Sequence, residues 1–186
     1  MALLTNLLIK WRYRIISPYI QGKVLDIGCG DGGVYSLFRN YIQSYYGIDC
    51  NSQKIEQLKK QTGNENFFCR DLDTEPIAIA EKFDVILMVA VIEHIWNQKF
   101  LLDQVTDMLN PSGRLIITTP TPFGNDVVHA IGGNIGLFAK SAVADHVVVY
   151  NRRRFKILEN QFHLKLKQYK RFQFFCNQLA VFEKPE

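Results

Sequence analysis

The residues best suited to chemistry in this sequence are carboxylates placed beside a glycine loop. Asp26-Ile27-Gly28-Cys29-Gly30-Asp31-Gly32-Gly33 follows a short apolar run. Glycines at such a turn let the backbone bend sharply and come close to a ligand. A helix starting there offers free N–H groups and the positive end of its dipole. Gly28, Gly30 and Gly33 fit the generic G-x-G-x-x-G spacing, which also occurs in turns that bind nothing. Asp26 stands two residues before Gly28. A carboxylate there would repel a pyrophosphate and favour a cationic or amino-bearing group. Asp49 lies 19 residues after Gly30, where a carboxylate accepts from both hydroxyls of a ribose. Asp71 ends a third apolar run and is placed to accept from an adenine amino group. Glu93, His94 and His146 follow later in the chain and are candidate proton acceptors.

These residues need strands and helices to position them, and the pattern supplies both. Lys23 to Ile27 reads as a strand, and Val34, Leu37, Phe38 and Tyr41 then recur at helical spacing. Ser44 to Ile48 is a second strand, and Asn51 or Ser52 caps a helix carrying Ile55 and Leu58. Phe67-Phe68-Cys69 is a third strand. Phe83 to Ala90 is a fourth, apolar enough to be buried on both faces. Asn97 caps a helix with Leu101, Leu102, Val105, Met108 and Leu109 on one side, and Asn110-Pro111-Ser112-Gly113 is expected to stop it. Leu115 to Thr119 is the fifth strand, Arg152 to Gln161 a helix, Leu164 and Leu166 part of an edge strand, and Gln178 to Phe182 a closing antiparallel strand. Alternation at this spacing implies right-handed crossovers. The expected fold is α/β: a doubly wound, mostly parallel, seven-stranded Rossmann-like sheet with an antiparallel last strand. At 186 residues the chain reads as a single domain, with an N-terminal helix over 1–21.

A nucleoside joined to a positive group, with no phosphate, describes S-adenosyl-L-methionine. Val24-Leu25-Asp26-Ile27-Gly28-Cys29-Gly30-Asp31-Gly32 also resembles the first motif of the class I S-adenosylmethionine-dependent methyltransferases. Phe83-Asp84-Val85-Ile86 with Val91-Ile92-Glu93-His94-Ile95 resembles their fourth strand and the segment after it. Leu109 to Leu115 resembles their turn into the fifth strand. The likeness runs in order from Lys23 to Pro120. It implies that Asp26, Gly28, Cys29 and Gly30 surround the methionine part, with Ala90 beside them. It further implies that Asp49 holds the ribose and that Asp71 and Leu72 bracket the adenine.

Methyl transfer from an activated sulfonium needs alignment and exclusion of water. A hydroxyl acceptor also needs a base, for which Glu93, His94 and His146 are the candidates. Their presence favours oxygen as the acceptor atom. Ubiquinone-biosynthesis O-methyltransferases and small-RNA 2′-O-methyltransferases carry Glu-x-x-Glu-His and a later His as a metal site. Ala90 stands here at the first acidic position, so no metal is expected. The rival reading is a non-catalytic cofactor-binding module acting through a partner protein. A nicotinamide-dependent reductase fits poorly, because of Asp26 and the lack of room for a substrate domain.

Residues 120–150 carry glycines at 132, 133 and 136 and suit either a substrate lid or an ordinary helical connection. Leu3, Leu4, Leu7, Leu8, Trp11 and Ile15 make the first helix amphipathic, and it is expected to pack beside the sheet and cap the cofactor pocket. Cys29, Cys50, Cys69 and Cys176 form no C-x-x-C pair, which argues for a reducing cytoplasm rather than zinc or disulfides. The opening segment lacks the basic start and cleavage site of a signal peptide, and no apolar run approaches the roughly 20 residues of a membrane span.

The formal net charge is +4, unevenly spread: residues 1–149 hold 13 Lys+Arg against 15 Asp+Glu, and residues 150–186 hold 9 against 3. The basic tail is a solvated face or a match for an anionic acceptor, with Arg152, Arg153 and Arg154 the residues to test. Neither the Asn-Pro-Pro-Tyr nor the Pro-Cys signature of DNA methylators follows the fourth strand, so a small-molecule acceptor is expected and nucleic acid is not.

Overall fold

A computed structural model describes residues 3–126 and 148–186. The chain begins with α1 (Leu3–Ile16) and enters β1 (Gly22–Ile27), followed by α2 (Gly33–Phe38) and β2 (Ile42–Asp49). Next come α3 (Ser52–Thr62), β3 (Phe67–Cys69), β4 (Phe83–Val89), α4 (Gln98–Met108) and β5 (Leu109–Pro120). Then α5 (Arg152–Gln161), β6 (Lys165–Phe172) and β7 (Asn177–Glu183) follow. The strands form one seven-stranded sheet in the order β3-β2-β1-β4-β5-β7-β6. β7 runs antiparallel to both its neighbours, while the remaining pairs are parallel. The doubly wound sheet with a reversed last strand is therefore as expected.

Helix starts follow from local chemistry. Asn51, Asn97 and Asn151 each accept a hydrogen bond from a backbone N–H three residues on, satisfying a donor that the helix leaves orphaned. Along β4, alternate residues feed two cores, one on each face of the sheet. Ile86 and Met88 join Leu25, Ile27, Ile117, Leu101 and Phe155 on one side. Val85 and Leu87 join Val24, Ile116, Ile16, Val34 and Leu58 on the other. Each fully buried side chain of this kind contributes roughly 1.5–3 kcal/mol.

Two local expectations are corrected. The Asn110–Gly113 stretch is not a free turn after α4. It lies inside β5, where the pairing with β4 shifts register between Phe83 and Val85. Ser112 takes a φ of 59°, Asn110 Nδ2 donates to Asp84 Oδ1 at 2.8 Å, and Ser112 N donates to the Lys184 carbonyl. The turn residues thus make a bulge, because strand partners take up their polar groups. In α1 the buried contact is Ile16, with Tyr13 and Ile15 packed beside it, whereas Leu7 and Trp11 stay exposed. Trp11 instead meets Phe174 edge-on, with ring centroids 5.7 Å apart.

Gly47 is the tight point of the sheet beside the glycine loop. A Cβ there would lie 2.6 Å from the Phe67 ring and 3.0 Å from Cys29 Sγ. Overpacking of this kind costs about 1–3 kcal/mol. Gly47→Ala is therefore expected to lower the melting temperature by several degrees in a thermal denaturation scan; an unchanged value would mean that Phe67 yields freely.

Candidate cofactor and acceptor site

The chain runs from β1 outward to β2 and β3, then returns to pair β4 on the other side of β1. Strand order reverses at this point, and a crevice opens at the carboxyl ends of the strands. A cavity of about 340 Å³ lies there. Gly28, Asp49, Asp71, Leu72, Ala90 and His94 line it, together with Cys50, Arg70, Asp73, Val91 and Ile95. The volume falls within the roughly 300–1,000 Å³ usual for small-ligand sites.

Each wall has a local cause. Gly28 has a φ of +73°, and a Cβ on it would sit 2.2 Å from Val91 Cγ2, so only glycine lets the loop approach the segment after β4. Gly28 N and Cys29 N both donate to the Ile48 carbonyl, at 2.7 and 2.9 Å, which ties the loop to the end of β2. Asp49 locks the loop from the other side: its Oδ2 accepts from Gly30 N at 2.9 Å and its Oδ1 from Asn51 N at 2.9 Å. Each oxygen keeps a lone pair for a further donor. Ala90, at the end of β4, adopts a φ of 59°, a conformation that non-glycine residues hold only where their surroundings impose it. Its N–H donates to the Thr118 carbonyl at 2.8 Å.

Asp71 is exposed at the cavity mouth, where its Oδ1 accepts from Asp73 N. Asp73 was not singled out by sequence reasoning. Its Oδ1 accepts from Trp96 N at 2.7 Å and Asn97 N at 2.8 Å, joining the segment after β3 to the start of α4. An acid in an irregular segment carries no periodic signal, so nothing in the sequence pattern marks it.

Asp26, Cys29, Gly30 and Glu93 are not among the cavity-lining residues. Asp26 is buried, and its Oδ2 accepts from the Tyr45 hydroxyl at 2.6 Å, while Oδ1 has no hydrogen-bond partner. Burial raises its pKa to about 7, against the hydrogen bond from Tyr45, which lowers it. Tyr45 also escaped the sequence reading. The parallel register pairs Val24 with Tyr45 and Asp26 with Gly47, which puts Tyr45 and Asp26 on one face. Burial raises the pKa of Tyr13 in α1 and the nearby Asp26 charge adds to the rise, and a Cβ on Gly33 would meet its hydroxyl. The first helix thus reaches the glycine loop through Tyr13. Cys29 is a buried filler whose thiol burial drives up in pKa.

Past Ala90, Ile92–His94 forms one turn of 3-10 helix. His94 faces the cavity, whereas Glu93 is only 2% exposed and sits near Thr119 at the end of β5. Burial raises the Glu93 pKa, opposed by the charges of His94 and Arg12. His146 and most of the 120–150 segment lie outside the described residues. Among the described residues, no group of three or more His, Cys, Asp or Glu side chains is placed to hold a metal ion, and no helix is long and apolar enough to cross a membrane.

A sequence model described as a methyltransferase domain matches residues 14–171. The chain belongs to that methyltransferase family. It is of the class I S-adenosylmethionine-dependent type by motif order and sheet topology, and S-adenosylmethionine is the cofactor that goes with this membership. The chain is similar to the ubiquinone biosynthesis O-methyltransferases of Bartonella tribocorum, at 29% identity over 107 residues, 56% of this chain and 43% of that one. It resembles that of Nitrobacter winogradskyi at 29% over 99 residues, 52% of this chain and 38% of that one. Each match thus spans less than half of the relative's length. Among solved structures, the methyltransferase bound to the Trm112 activator from Haloferax volcanii superposes with a TM-score of 0.74, 14% identity and coverage of 95% and 90%. The N-methyltransferase NodS from Bradyrhizobium japonicum, in complex with S-adenosylhomocysteine, gives 0.70, 19%, 95% and 87%.

The Asp26 carboxyl has a pH signature in this methyltransferase. Its folded pKa, about 7, lies above the ordinary carboxyl value of 3.8. Its contribution to stability is full below the unfolded pKa and is lost as pH rises to about 7. The ligand-free melting temperature is expected to fall between pH 5 and 7 more steeply in the wild type than in Asp26→Asn. Parallel curves would show that Asp26 titrates normally.

Proposed function

We propose that this protein transfers a methyl group from S-adenosylmethionine to a hydroxyl oxygen of a small molecule. The observation that carries the reading is the crevice at the strand-order reversal, where Asp49 keeps lone pairs for two hydroxyls, with the buried Asp26 carboxyl behind the glycine loop leaving Oδ1 without a partner. Those acceptors fit the cofactor: Asp49 takes the ribose, Asp71 and Leu72 flank the adenine, and Asp26, Gly28, Cys29 and Gly30 surround the amino-acid end. Asp26 offers a carboxylate to a cation at a point where a dinucleotide would bring phosphate. When bound, the cofactor supplies an activated methyl group, whose bond to sulfur breaks as the bond to the acceptor forms, leaving neutral S-adenosylhomocysteine.

The chain's own work is alignment, water exclusion and proton removal. Ala90 and Val91 close the cavity between the glycine loop and the segment after β4. Glu93 takes the hydroxyl proton: burial raises its pKa and so makes its carboxylate a stronger base. His94, at the cavity wall, offers a second polar group to the acceptor. The distant O-methyltransferase relatives agree with oxygen as the acceptor atom.

Calorimetry is expected to show binding of S-adenosylhomocysteine and not of NAD; the reverse would end the proposal. Asp49→Ala removes two charge-assisted contacts to a ribose, worth together about 3 kcal/mol, and is expected to weaken S-adenosylhomocysteine binding roughly a hundredfold. Release of S-adenosylhomocysteine from S-adenosylmethionine in the presence of a metabolite extract would separate an enzyme from a binding module.

A further inference from the structure

The outer face of α1 is unlike an ordinary solvated helix face. Leu7, Lys10, Trp11 and Arg14 are exposed, and their spacing of i, i+3, i+4 and i+7 puts them on one stripe. Apolar and cationic side chains alternate along it. α1 lies antiparallel along the edge strand β6. The Tyr19 hydroxyl, just past the helix, donates to Gln168 Oε1, and at the other end Gln173 Nε2 donates to the Leu8 carbonyl. Between the two elements runs a groove of about 700 Å³ lined by Lys10, Trp11, Arg14, Tyr19, Gln168 and Lys170. No acid occurs in α1, in β6 or in the turn that joins β6 to β7.

That turn is Gln173-Phe174-Phe175-Cys176. Gln173, Phe174 and Phe175 take successive positive φ angles of 51°, 53° and 66°. Bulky residues hold that conformation only where their surroundings impose it. Buried Gln173 accepts from Asn177 Nδ2 at 2.7 Å, and Cys176 N donates to the Gln173 carbonyl at 3.0 Å. Thr121 Oγ1, just after β5, donates to the Phe175 carbonyl at 2.6 Å. These bonds brace a tip on which Phe174 and Phe175 are 79% and 64% exposed, with Trp11 edge-on to Phe174. Single exposed apolar residues are ordinary on a protein surface. A braced group of them beside a cationic groove marks a contact surface.

We propose that this face docks on an anionic lipid bilayer, with Leu7, Trp11, Phe174 and Phe175 entering the headgroup region and Lys10, Arg14 and Lys170 meeting lipid phosphates. Trp, Phe and Leu set among basic residues are the chemistry of an interfacial helix. Each cation near an anionic leaflet adds an attraction that falls off within a Debye length. The 9 Lys+Arg against 3 Asp+Glu of residues 150–186 add to the same field. Nucleic acid also seeks cations and rings, but it stacks its bases on rings along a groove. Phe174 and Phe175 do not line this groove but project past it, and Leu7 has no ring to stack on. Pro120 of β5 pairs with Asn177 just after the turn, so the tip shares the sheet edge that holds the cofactor cavity. Docking sets that edge against the bilayer and needs no particular methyl acceptor.

Co-sedimentation with vesicles tests this. Phosphatidylcholine vesicles with about a third phosphatidylglycerol are expected to bind the protein about tenfold or more tightly than pure phosphatidylcholine, and added salt should shrink the preference. Lys10→Gln with Arg14→Gln should remove most of it. Phe174→Asn with Phe175→Asn should weaken vesicle binding about tenfold while the melting temperature holds or rises, because Asn accepts a positive φ more readily than Phe. A purely structural Phe pair would instead lower the melting temperature and leave vesicle binding unchanged. The chain has two Trp residues, so the emission of Trp96→Phe comes from Trp11 alone. That emission is expected to shift to the blue on anionic vesicles and to be quenched by brominated lipid, a readout that stands even if the Asn variant does not fold. Absence of vesicle binding, equal binding to neutral and anionic vesicles, or Trp11 emission that lipid leaves unchanged would overturn the proposal. Without vesicle binding, an oligouridylate complex or a self-dimer that the Asn variant loses would assign the face to nucleic acid or to a second copy. S-adenosylhomocysteine affinity is expected to be the same in every variant, so failure here leaves the methyltransferase reading untouched.

Discussion

The carboxyl edge of the sheet owes its chemistry to the reversal of strand order between β1 and β4. Because β2 and β3 extend the sheet one way and β4 and β5 the other, the loops after β1 and β4 diverge rather than cross. A crevice at that place is a property of topology before any side chain is chosen. The Ile48 carbonyl, the Gly28 N–H and the Ala90 backbone then hold its walls with main-chain bonds. Side chains add selectivity to a gap that the winding of the chain has already made.

Burial sets the electrostatics of that gap. Asp26 and Glu93 are the carboxyl groups among the buried polar residues, and desolvation raises both. Neither is neutralised by an ion pair in the way that half-buried Lys23 meets Glu81 at 2.7 Å near the surface. Surface pairs of that kind add little to stability, whereas a buried carboxyl with an unsatisfied oxygen is a standing cost. The protein bears that cost on both sides of the glycine loop, at Asp26 beneath it and at Glu93 beyond it. Asp49, half-buried between them, has each oxygen engaged by a backbone N–H and so holds the loop in shape. Two carboxyls thus keep an oxygen without a partner, while the third braces the loop and still has a lone pair on each oxygen for a ligand.

Much of the frame was legible in the residues. Phe67–Cys69 and Arg152–Gln161 begin and end where periodicity places them, because a short β-branched or aromatic run and an Asn cap are local signals. Gly28, Asp49, Asp71 and Leu72 were also legible, since strand ends fall at regular intervals in an α/β chain and the cavity forms there. Asp73, Tyr45 and Arg12 were not. Asp73 caps a loop 23 residues away, and Arg12 reaches Asn177 across 165 residues. The bulge at Asn110–Gly113 was misread as a stop, because turn-forming residues look alike whether a partner strand takes up their polar groups or water does.

The sequence by itself determined the order of strands and helices, the glycine loop and the carboxylates at successive strand ends, since each rests on interactions between near neighbours in the chain. Tertiary structure alone decided which of those carboxyls are buried, which oxygen lacks a partner and which side of the sheet each one faces. Burial and desolvation depend on what packs over a residue from distant segments. Those contacts turned Glu93 away from the cofactor cavity, toward Thr119 and the charge of Arg12.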